Sequence, residues 1–413
     1  HKKKGNLIEA LNDFKQSYEI GTQHFGKIDW IVLGILVDII KIYIKLDNYD
    51  QASLTIEQYK NLINTNPQLS STERKKSLFE VIFLTFKRRA LKQYCSKEYE
   101  KAVHGFKSYL EIQIYVLSHD HPDVGETYQS IGMAYKELGY YSGALYNYKK
   151  AQNIFEKHLP SNDSKIGDIW DDLRVTYARL KQYDDAIFAG KKYVEFLKNV
   201  LPSSHIDIAE AYVKIACLYR LKKDFLNAIE NNRRALIIQL EYLPETCSKT
   251  IKTLYSLGMS YDLSNQYEES LMAFYECLEY QLNILPSAHI DVWETYNSIA
   301  LAYFKLKRFD EAFQNFEICL FIQITLLPPD HPDIADTQNL LGETALQLHN
   351  YALAATHYEY ALEIRQKHLP AMNTKVIEIL KMLEIVYREL KRYDDSRRAF
   401  EQRRIFELNR PSQ

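Results

Sequence analysis

A Leu-Pro dipeptide recurs along this chain of 413 residues with a constant spacing of 42 residues. The dipeptide begins at Leu159, Leu201, Leu243, Leu285, Leu327 and Leu369. A period in this range is typical of one supersecondary unit copied along a chain, because a single copy cannot bury its apolar face without a neighbour. The chain is therefore predicted to be a repeat array.

A second, independent set of residues follows the same spacing and fixes the register. It consists of an aromatic residue with Ala or Ser three positions later, and its aromatic members are Tyr99, Tyr141, Tyr183, Phe225, Tyr267, Phe309, Tyr351 and Tyr393. Leu7 and Tyr49 continue the set toward the N-terminus, but the step from Tyr49 to Tyr99 is longer than one period. We therefore predict an inserted polar loop at residues 67–76.

Each unit contains two helical patterns. Tyr128, Ile131 and Tyr135 share one face of a first helix, and Tyr141 and Tyr148 share one face of a second. The Leu-Pro dipeptide then ends the second helix, because proline cannot continue a helix and biases the preceding residue toward extended backbone. The predicted fold class is all-α, built from stacked antiparallel helix hairpins.

Small residues mark the contact between the two helices of a unit. Gly132 and Ala144 allow the backbones to approach closely, and the ring of Tyr148 fills the space beside them. The copy at residues 161–202 departs from this pattern, because Arg174 replaces the small residue and Gly190 replaces the ring. Arg174 would either pack by snorkelling out of a loosened contact between the helices, which we favour, or be displayed to a ligand. We expect Tyr193 to fill the volume that Gly190 vacates.

The order of residue types resembles the tetratricopeptide repeat (TPR). The family pattern is matched by Tyr296, Ile299, Ala300, Tyr303, Ala312, Phe316 and Pro328. The 42-residue period resembles most closely the long-helix subtype of kinesin light chains. The resemblance implies an α-solenoid that forms a right-handed superhelix, with about nine full repeats and a leading half repeat.

The predicted organisation is a single TPR solenoid over residues 1–413. Residues 1–66 would form an N-terminal helix and the first full hairpin, and residues 77–413 eight in-register repeats that end in a capping helix. Because a helix is predicted almost from the first residue, we expect the native chain to be longer than this sequence.

Composition excludes several classes of protein. The net charge of −2 gives no bulk attraction to nucleic acid or to an anionic membrane. The longest apolar stretch, residues 31–37, is far too short to cross a bilayer and is interpreted as part of a core helix. The five cysteines form no C-x-x-C motif, which favours a reducing, cytoplasmic location and small packed thiols in place of disulfides.

Four His-x-Asp motifs have two possible interpretations. They could belong to a metal-binding or catalytic site, or they could mark the starts of helices. They begin at His121, His205, His289 and His331. Because all four occupy the same position in the repeat, they would be strung along one edge of a solenoid, so we favour helix starts. No phosphate-binding, nucleophile or zinc-protease motif accompanies them. The chain is predicted to have no enzyme activity, cofactor or metal.

One position near the start of the first helix is acidic in six of seven copies. Its members are Glu126, Asp168, Glu210, Lys252, Glu294, Asp336 and Glu378. The helix macrodipole explains acids at this position. A specific site for a cation or a basic peptide is the alternative.

The TPR resemblance implies a peptide-binding groove lined by the first helix of each hairpin. The predicted groove residues are Met133, Arg220, Tyr255, Met259, Asn297, Leu301, Phe304, Asn339 and Glu343. Met259, Leu301 and Phe304 would anchor a peptide, and Tyr255 together with the two asparagines would supply hydrogen bonds. The alternative for each of these residues is packing against the next helix alone.

The leading functional hypothesis is a protein-protein interaction scaffold or adaptor that binds a protein or peptide partner in this groove. A regulatory or substrate-docking arm of a larger enzyme is the second hypothesis. A nucleic-acid-binding helical repeat comes last, because the charge is near neutral and no basic stripe is present.

Overall fold

The computed structural model describes residues 2–24, 30–64, 86–243, 247–368 and 374–408. The predicted inserted loop at 67–76 lies outside these ranges, as do Pro244 and the Leu-Pro step at 369–370. The described residues are α-helical apart from short turns, which confirms the all-α fold class.

The chain divides into two compact units, His1–Leu201 and Pro202–Gln413. In unit 1 the helices are α1 Lys2–His24, α2 Trp30–Lys45, α3 Tyr49–Asn64, α4 at residues 86–95, α5 Tyr99–Val116, α6 Pro122–Glu137, α7 Tyr141–His158, α8 Ser164–Arg179 and α9 Tyr183–Val200. The prediction of one continuous solenoid over residues 1–413 stays a prediction.

Unit 2 continues the alternation of first and second helices. Its helices are α10 Ile206–Leu221, α11 Phe225–Tyr242, α12 Ser248–Leu263, α13 Tyr267–Ile284, α14 Ile290–Lys305, α15 Phe309–Leu326, α16 Pro332–Gln347, α17 Tyr351–His368, α18 Thr374–Glu389 and α19 Tyr393–Leu408. Consecutive helices pack against each other, so the helix hairpin is the structural repeat. The first helices α10, α12, α14 and α16 have 16 residues each, and the second helices α11, α13, α15 and α17 have 18.

Both ends of a hairpin are fixed by local chemistry. Leu159 has extended backbone (φ −106°, ψ 150°) directly after α7, as expected for the residue before proline. Between α6 and α7, Gly139 has a φ of +78°, and the N–H of Tyr140 donates to the carbonyl of Tyr135 at 2.9 Å. The same left-handed position is held in later hairpins by Lys181, Lys223, Asn265, Lys307, His349 and Lys391. The turn geometry therefore repeats although the glycine does not.

The core of each hairpin pairs a small residue with a large ring. A Cβ added at Gly132 would lie 2.7 Å from ring carbons of Tyr148, and one at Gly258 would lie 2.6 Å from Phe274. Tyr148 and Phe274 are both fully buried. The predicted close approach of the two helices is confirmed.

The α8–α9 hairpin reverses this arrangement. Arg174, at the position of Gly132, is only 8% exposed, and its Nε lies 2.8 Å from Asp171 Oδ1. Gly190, at the position of the ring, is buried, and Tyr193 is partly buried against the same core. The burial of Arg174 agrees with packing, the favoured alternative, whereas the filling of the Gly190 volume by Tyr193 stays a prediction.

The apolar stretch at residues 31–37 lies in α2. Leu33, Leu36 and Val37 are buried in the core of unit 1, as expected for a core helix, although Ile31 is exposed. In the part of the chain that the structure describes, no helix is long and apolar enough to cross a membrane.

Candidate binding surface

The first helices of unit 2 form one layer. α10 contacts α12, and α12 contacts α14, although a second helix separates each pair along the chain. Eight of the predicted groove residues lie on this layer: Arg220, Tyr255, Met259, Asn297, Leu301, Phe304, Asn339 and Glu343. The ninth, Met133, lies on α6 in unit 1. We call the eight residues on α10, α12, α14 and α16 the first-helix surface.

The apolar members of this surface are half-buried. Tyr255, Met259, Leu301 and Phe304 all pack against the core cluster around Phe316, yet each keeps part of its side chain exposed. The ring of Phe304 meets that of Phe309 edge-on, with centroids 5.3 Å apart. These side chains therefore combine packing against the next helix with an accessible apolar face.

Tyr255 connects two neighbouring first helices. Its hydroxyl lies 3.2 Å from Ser298 Oγ on α14, and its ring centroid lies 5.5 Å from that of Phe274. Burial raises the pKa of the Tyr255 phenol, so the hydroxyl stays protonated at neutral pH. The hydroxyl predicted to bind a peptide thus already has a partner within the fold.

Asn339 and Glu343 are partly buried on α16, one helical turn apart. Burial raises the pKa of the Glu343 carboxyl, because a desolvated carboxylate is disfavoured. Within the described ranges we find no ion pair for Glu343. A donor from a bound partner would relieve this desolvation.

An open pocket of about 220 Å³ lies between α14, α15 and α16. It is lined by Trp293, Glu294, Asn297, Cys319, Gln323, Asp333, Asp336, Thr337 and Leu340. Among the predicted groove residues only Asn297 reaches it. The repeated acidic position, which includes Glu294 and Asp336, was the one feature of the sequence that indicated this pocket. Trp293 and Gln323 are buried, and from the sequence alone their positions indicate core packing.

The four His-x-Asp motifs cap helices. In each motif the aspartate N–H donates to the Nδ1 of the histidine two residues earlier, at 3.1 to 3.2 Å. The capping histidines are His121, His205, His289 and His331. The prediction of helix starts is confirmed, and the described residues contain no group of three or more side chains placed to hold a metal ion.

Comparison with known protein families identifies the type of repeat in unit 2. Tetratricopeptide-repeat models match residues 251–283 and 292–367. Both segments lie within the in-register hairpins of unit 2. The helix hairpins, their period and these matches show that unit 2 contains tetratricopeptide repeats.

Several solved structures are similar to this chain at low sequence identity. The apo form of RapI is 17% identical, with a TM-score of 0.53 over 78% of this chain and 86% of its own. A putative kinesin light chain TPR-like repeat protein from Podosopora anserina is 19% identical, with a TM-score of 0.45 over 50% of this chain and 99% of its own. BtubC (BKLC) from P. vanneervenii is 15% identical, with a TM-score of 0.44 over 59% of this chain and 94% of its own. A comparison with curated proteins gave no match.

Proposed function

We propose that this chain is a non-catalytic protein-protein interaction scaffold of the cytoplasm, which binds a peptide segment of a partner protein along the first-helix surface of unit 2. The observation that carries this proposal is the line of half-buried apolar side chains on α12 and α14. Tyr255, Met259, Leu301 and Phe304 are anchored by core packing and still keep accessible faces. Such side chains lose little conformational freedom when a partner covers them.

The polar residues of the surface would orient the peptide. Asn297 and Asn339 are partly exposed and can each donate and accept a hydrogen bond with an extended backbone. Arg220 lies in the last turn of α10 and would supply a cation at that end of the surface. Methionine and aromatic side chains adapt to several partners, so we expect a peptide motif with apolar anchors.

Selection of random peptides on the purified chain, followed by fluorescence anisotropy with one selected peptide, tests this function. We expect Phe304→Ala to weaken binding by about tenfold or more, as for an anchor residue at an interface. Arg220→Glu should weaken it as well. Phe321→Ala is the matched control, because Phe321 is 72% exposed on the second helix α15, away from the first-helix surface.

Equal affinity of the Phe304→Ala variant and the unmodified protein would exclude the first-helix surface as the binding site. A loss of binding in Phe321→Ala would instead place the partner on the second helices. Circular dichroism melting of each variant separates loss of binding from loss of folding.

A further inference from the structure

Exposed apolar side chains gather at the ends of three consecutive second helices of unit 2. They lie in the last two turns of α11, α13 and α15 and are between 42% and 72% exposed. The six that we call the second-helix patch are Ile237, Leu240, Leu282, Ile284, Phe321 and Ile324. A first helix packs between each neighbouring pair, α12 against α11 and α13, and α14 against α13 and α15. Because the hairpins repeat, the three helix ends lie along one edge of unit 2.

The patch is particular to these helices and is not a general property of the repeat. At the repeat positions of Phe321 and Ile324, α9 and α17 carry charged or polar residues. These residues are Glu195, Lys198, Glu363 and Gln366, and all four are exposed. The two positions therefore face solvent in each hairpin, and packing within the fold does not require an apolar residue there. A row of exposed apolar side chains without a role in packing marks an interaction surface.

The surroundings of the patch are acidic. α13 carries four acids and α15 three, and neither helix contains Lys or Arg. Glu279 and Glu317 are exposed and lie about one turn before Leu282 and Phe321. Within the described ranges these two acids form no ion pair. A partner that covers the patch with positive charge at its borders would be complementary to it.

The helix ends add to this negative charge. The last turns of α11, α13 and α15 contain no basic residue, whereas α7 ends with Lys157 and His158 and α9 with Lys198. The last carbonyl groups of a helix carry a partial negative charge, which a cation stabilises. The three helices that display apolar side chains at their ends are thus the ones that lack this cation.

α11 differs from α13 and α15 because it contains two arginines. The Nε of Arg234 lies 2.8 Å from Glu230 Oε1, and the guanidinium of Arg233 lies 5.5 Å from the centre of the Tyr261 ring. Both arginines lie about one turn before Ile237 and are already engaged within the chain. The acids of α13 and α15 therefore determine the charge beside the patch.

We propose that the second-helix patch binds an amphipathic α-helix of a partner protein, whose apolar stripe is bordered by Lys or Arg. The stripe covers the patch, and the basic residues reach Glu279, Glu317 and the carbonyl groups at the helix ends. The six side chains of the patch offer no hydrogen-bonding groups. An extended segment would leave its backbone groups unpaired there, whereas a helix satisfies its own. The patch lies on the second helices, so the proposal goes beyond the proposed function on the first-helix surface.

Fluorescence anisotropy of the whole chain with a designed peptide tests this site. The probe is a fluorescein-labelled helix of about five turns, with Leu along one face and Lys along both borders of that face. A second peptide carries Glu in place of Lys, and a third has the composition of the probe in an order without an apolar face. We expect the probe to bind with a dissociation constant on the order of 10 μM, and each control peptide about tenfold more weakly or less.

The repeat itself supplies a variant that should keep the fold. Phe321→Glu combined with Ile324→Gln, the patch variant, gives α15 the exposed residues that α17 carries at these positions, and should weaken the probe by about tenfold or more. Glu279→Gln combined with Glu317→Gln should weaken it by about fivefold. Leu226→Ala is the matched control and should bind normally, because Leu226 is 69% exposed at the opposite end of α11.

The absence of probe binding, undiminished binding in the patch variant, or equal binding of the Lys and Glu peptides would each overturn the proposal. Phe304→Ala separates the two surfaces, because Phe304 belongs to the first-helix surface. This variant should bind the probe normally, and loss of the probe would place the peptide on the first helices and overturn the proposal. A selected peptide that needs Phe304 while the probe does not bind would leave the proposed function standing.

Two other occupants of the patch would give different results. A dimer of the unmodified chain in sedimentation equilibrium, with a monomer of the patch variant, would assign the patch to a second copy. Binding to phosphatidylcholine vesicles that the patch variant loses would assign it to a membrane surface. Either result would overturn the proposal, and we expect neither.

Discussion

The ring of Tyr148 occupies the space that a side chain at residue 132 would need. A Cβ built on Gly132 lies 2.7 Å from both Cδ1 and Cε1 of that ring, closer than carbon atoms in contact can come. The ring is fully buried between α6 and α7 and cannot move aside without opening the hairpin. One contact thus sets the distance between the two helices of this repeat.

Gly132→Ala is expected to destabilise unit 1 by about 1–3 kcal/mol, the usual range for overpacking a core. The measurement is urea unfolding followed by circular dichroism. Gly143→Ala is the matched control, since its Cβ would meet the ring of Tyr135 at an ordinary 3.5 Å and alanine favours the helix. Equal stability of the two variants would contradict the assigned role of the Gly132 contact.

Lys307→Gly is expected to stabilise unit 2 by about 0.5–1 kcal/mol. Lys307 lies in the turn after α14 with a φ of +61°, a left-handed conformation that strains a residue with a Cβ, whereas Gly139 holds the equivalent turn without strain. Gly139→Ala should correspondingly destabilise its own turn. Thermal melting of the two variants checks the prediction, and a lower melting temperature for Lys307→Gly would refute it.

The buried thiols are expected to resist alkylation. Cys277 and Cys319 are buried, and burial raises the pKa of each thiol to about 12, so neither forms the reactive thiolate at pH 8. Cys95 is exposed. Mass spectrometry after iodoacetamide treatment should find Cys95 modified in the native protein, and the two buried cysteines modified only after addition of denaturant. Rapid native labelling of Cys277 would show that its hairpin opens.

Unit 2 is expected to lose stability as the pH falls below about 6.5, the ordinary pKa of histidine. Burial lowers the pKa of His357, whose Nδ1 lies 2.6 Å from Gln338 Oε1 and whose Nε2 has no partner among the described residues. Because the folded pKa is depressed, the unfolded chain binds the proton first, so acid favours unfolding.

Urea unfolding between pH 7 and pH 5 measures this effect. His357→Gln is the control and should show a flatter dependence of the free energy of unfolding on pH over this range. An identical slope in the variant would assign the acid sensitivity to other groups.

Much of the fold could be predicted from the sequence, because the controlling interactions are local and repeated. The helical spacing of apolar residues, the Leu-Pro dipeptides that end helices and the His-x-Asp caps each depend on a few residues that are close together in the sequence. The small-for-large pairing of Gly132 with Tyr148 could be predicted as well, because both positions recur with the period. The site was predicted less completely, since the same positions on the first helices serve both packing and binding.

Arg174 shows where sequence reasoning left a choice. The repeat pattern identified it as a large residue at a small position, with packing and display as alternatives. The structure buries it beside Asp171, in the hairpin where Gly190 stands in place of a ring. Whether a helix face can accept a large charged side chain depends on the volume that the residues of the neighbouring helix leave free.

The sequence alone determined that this protein is a chain of helix hairpins, because a fixed period of turn and core residues leaves no other way to bury the apolar faces. Only the tertiary structure decided which apolar side chains the packed hairpins leave exposed, because exposure depends on the neighbouring helices. Ile237, Leu282 and Phe321 come from three different helices, and they share one edge of unit 2 only once those helices are packed.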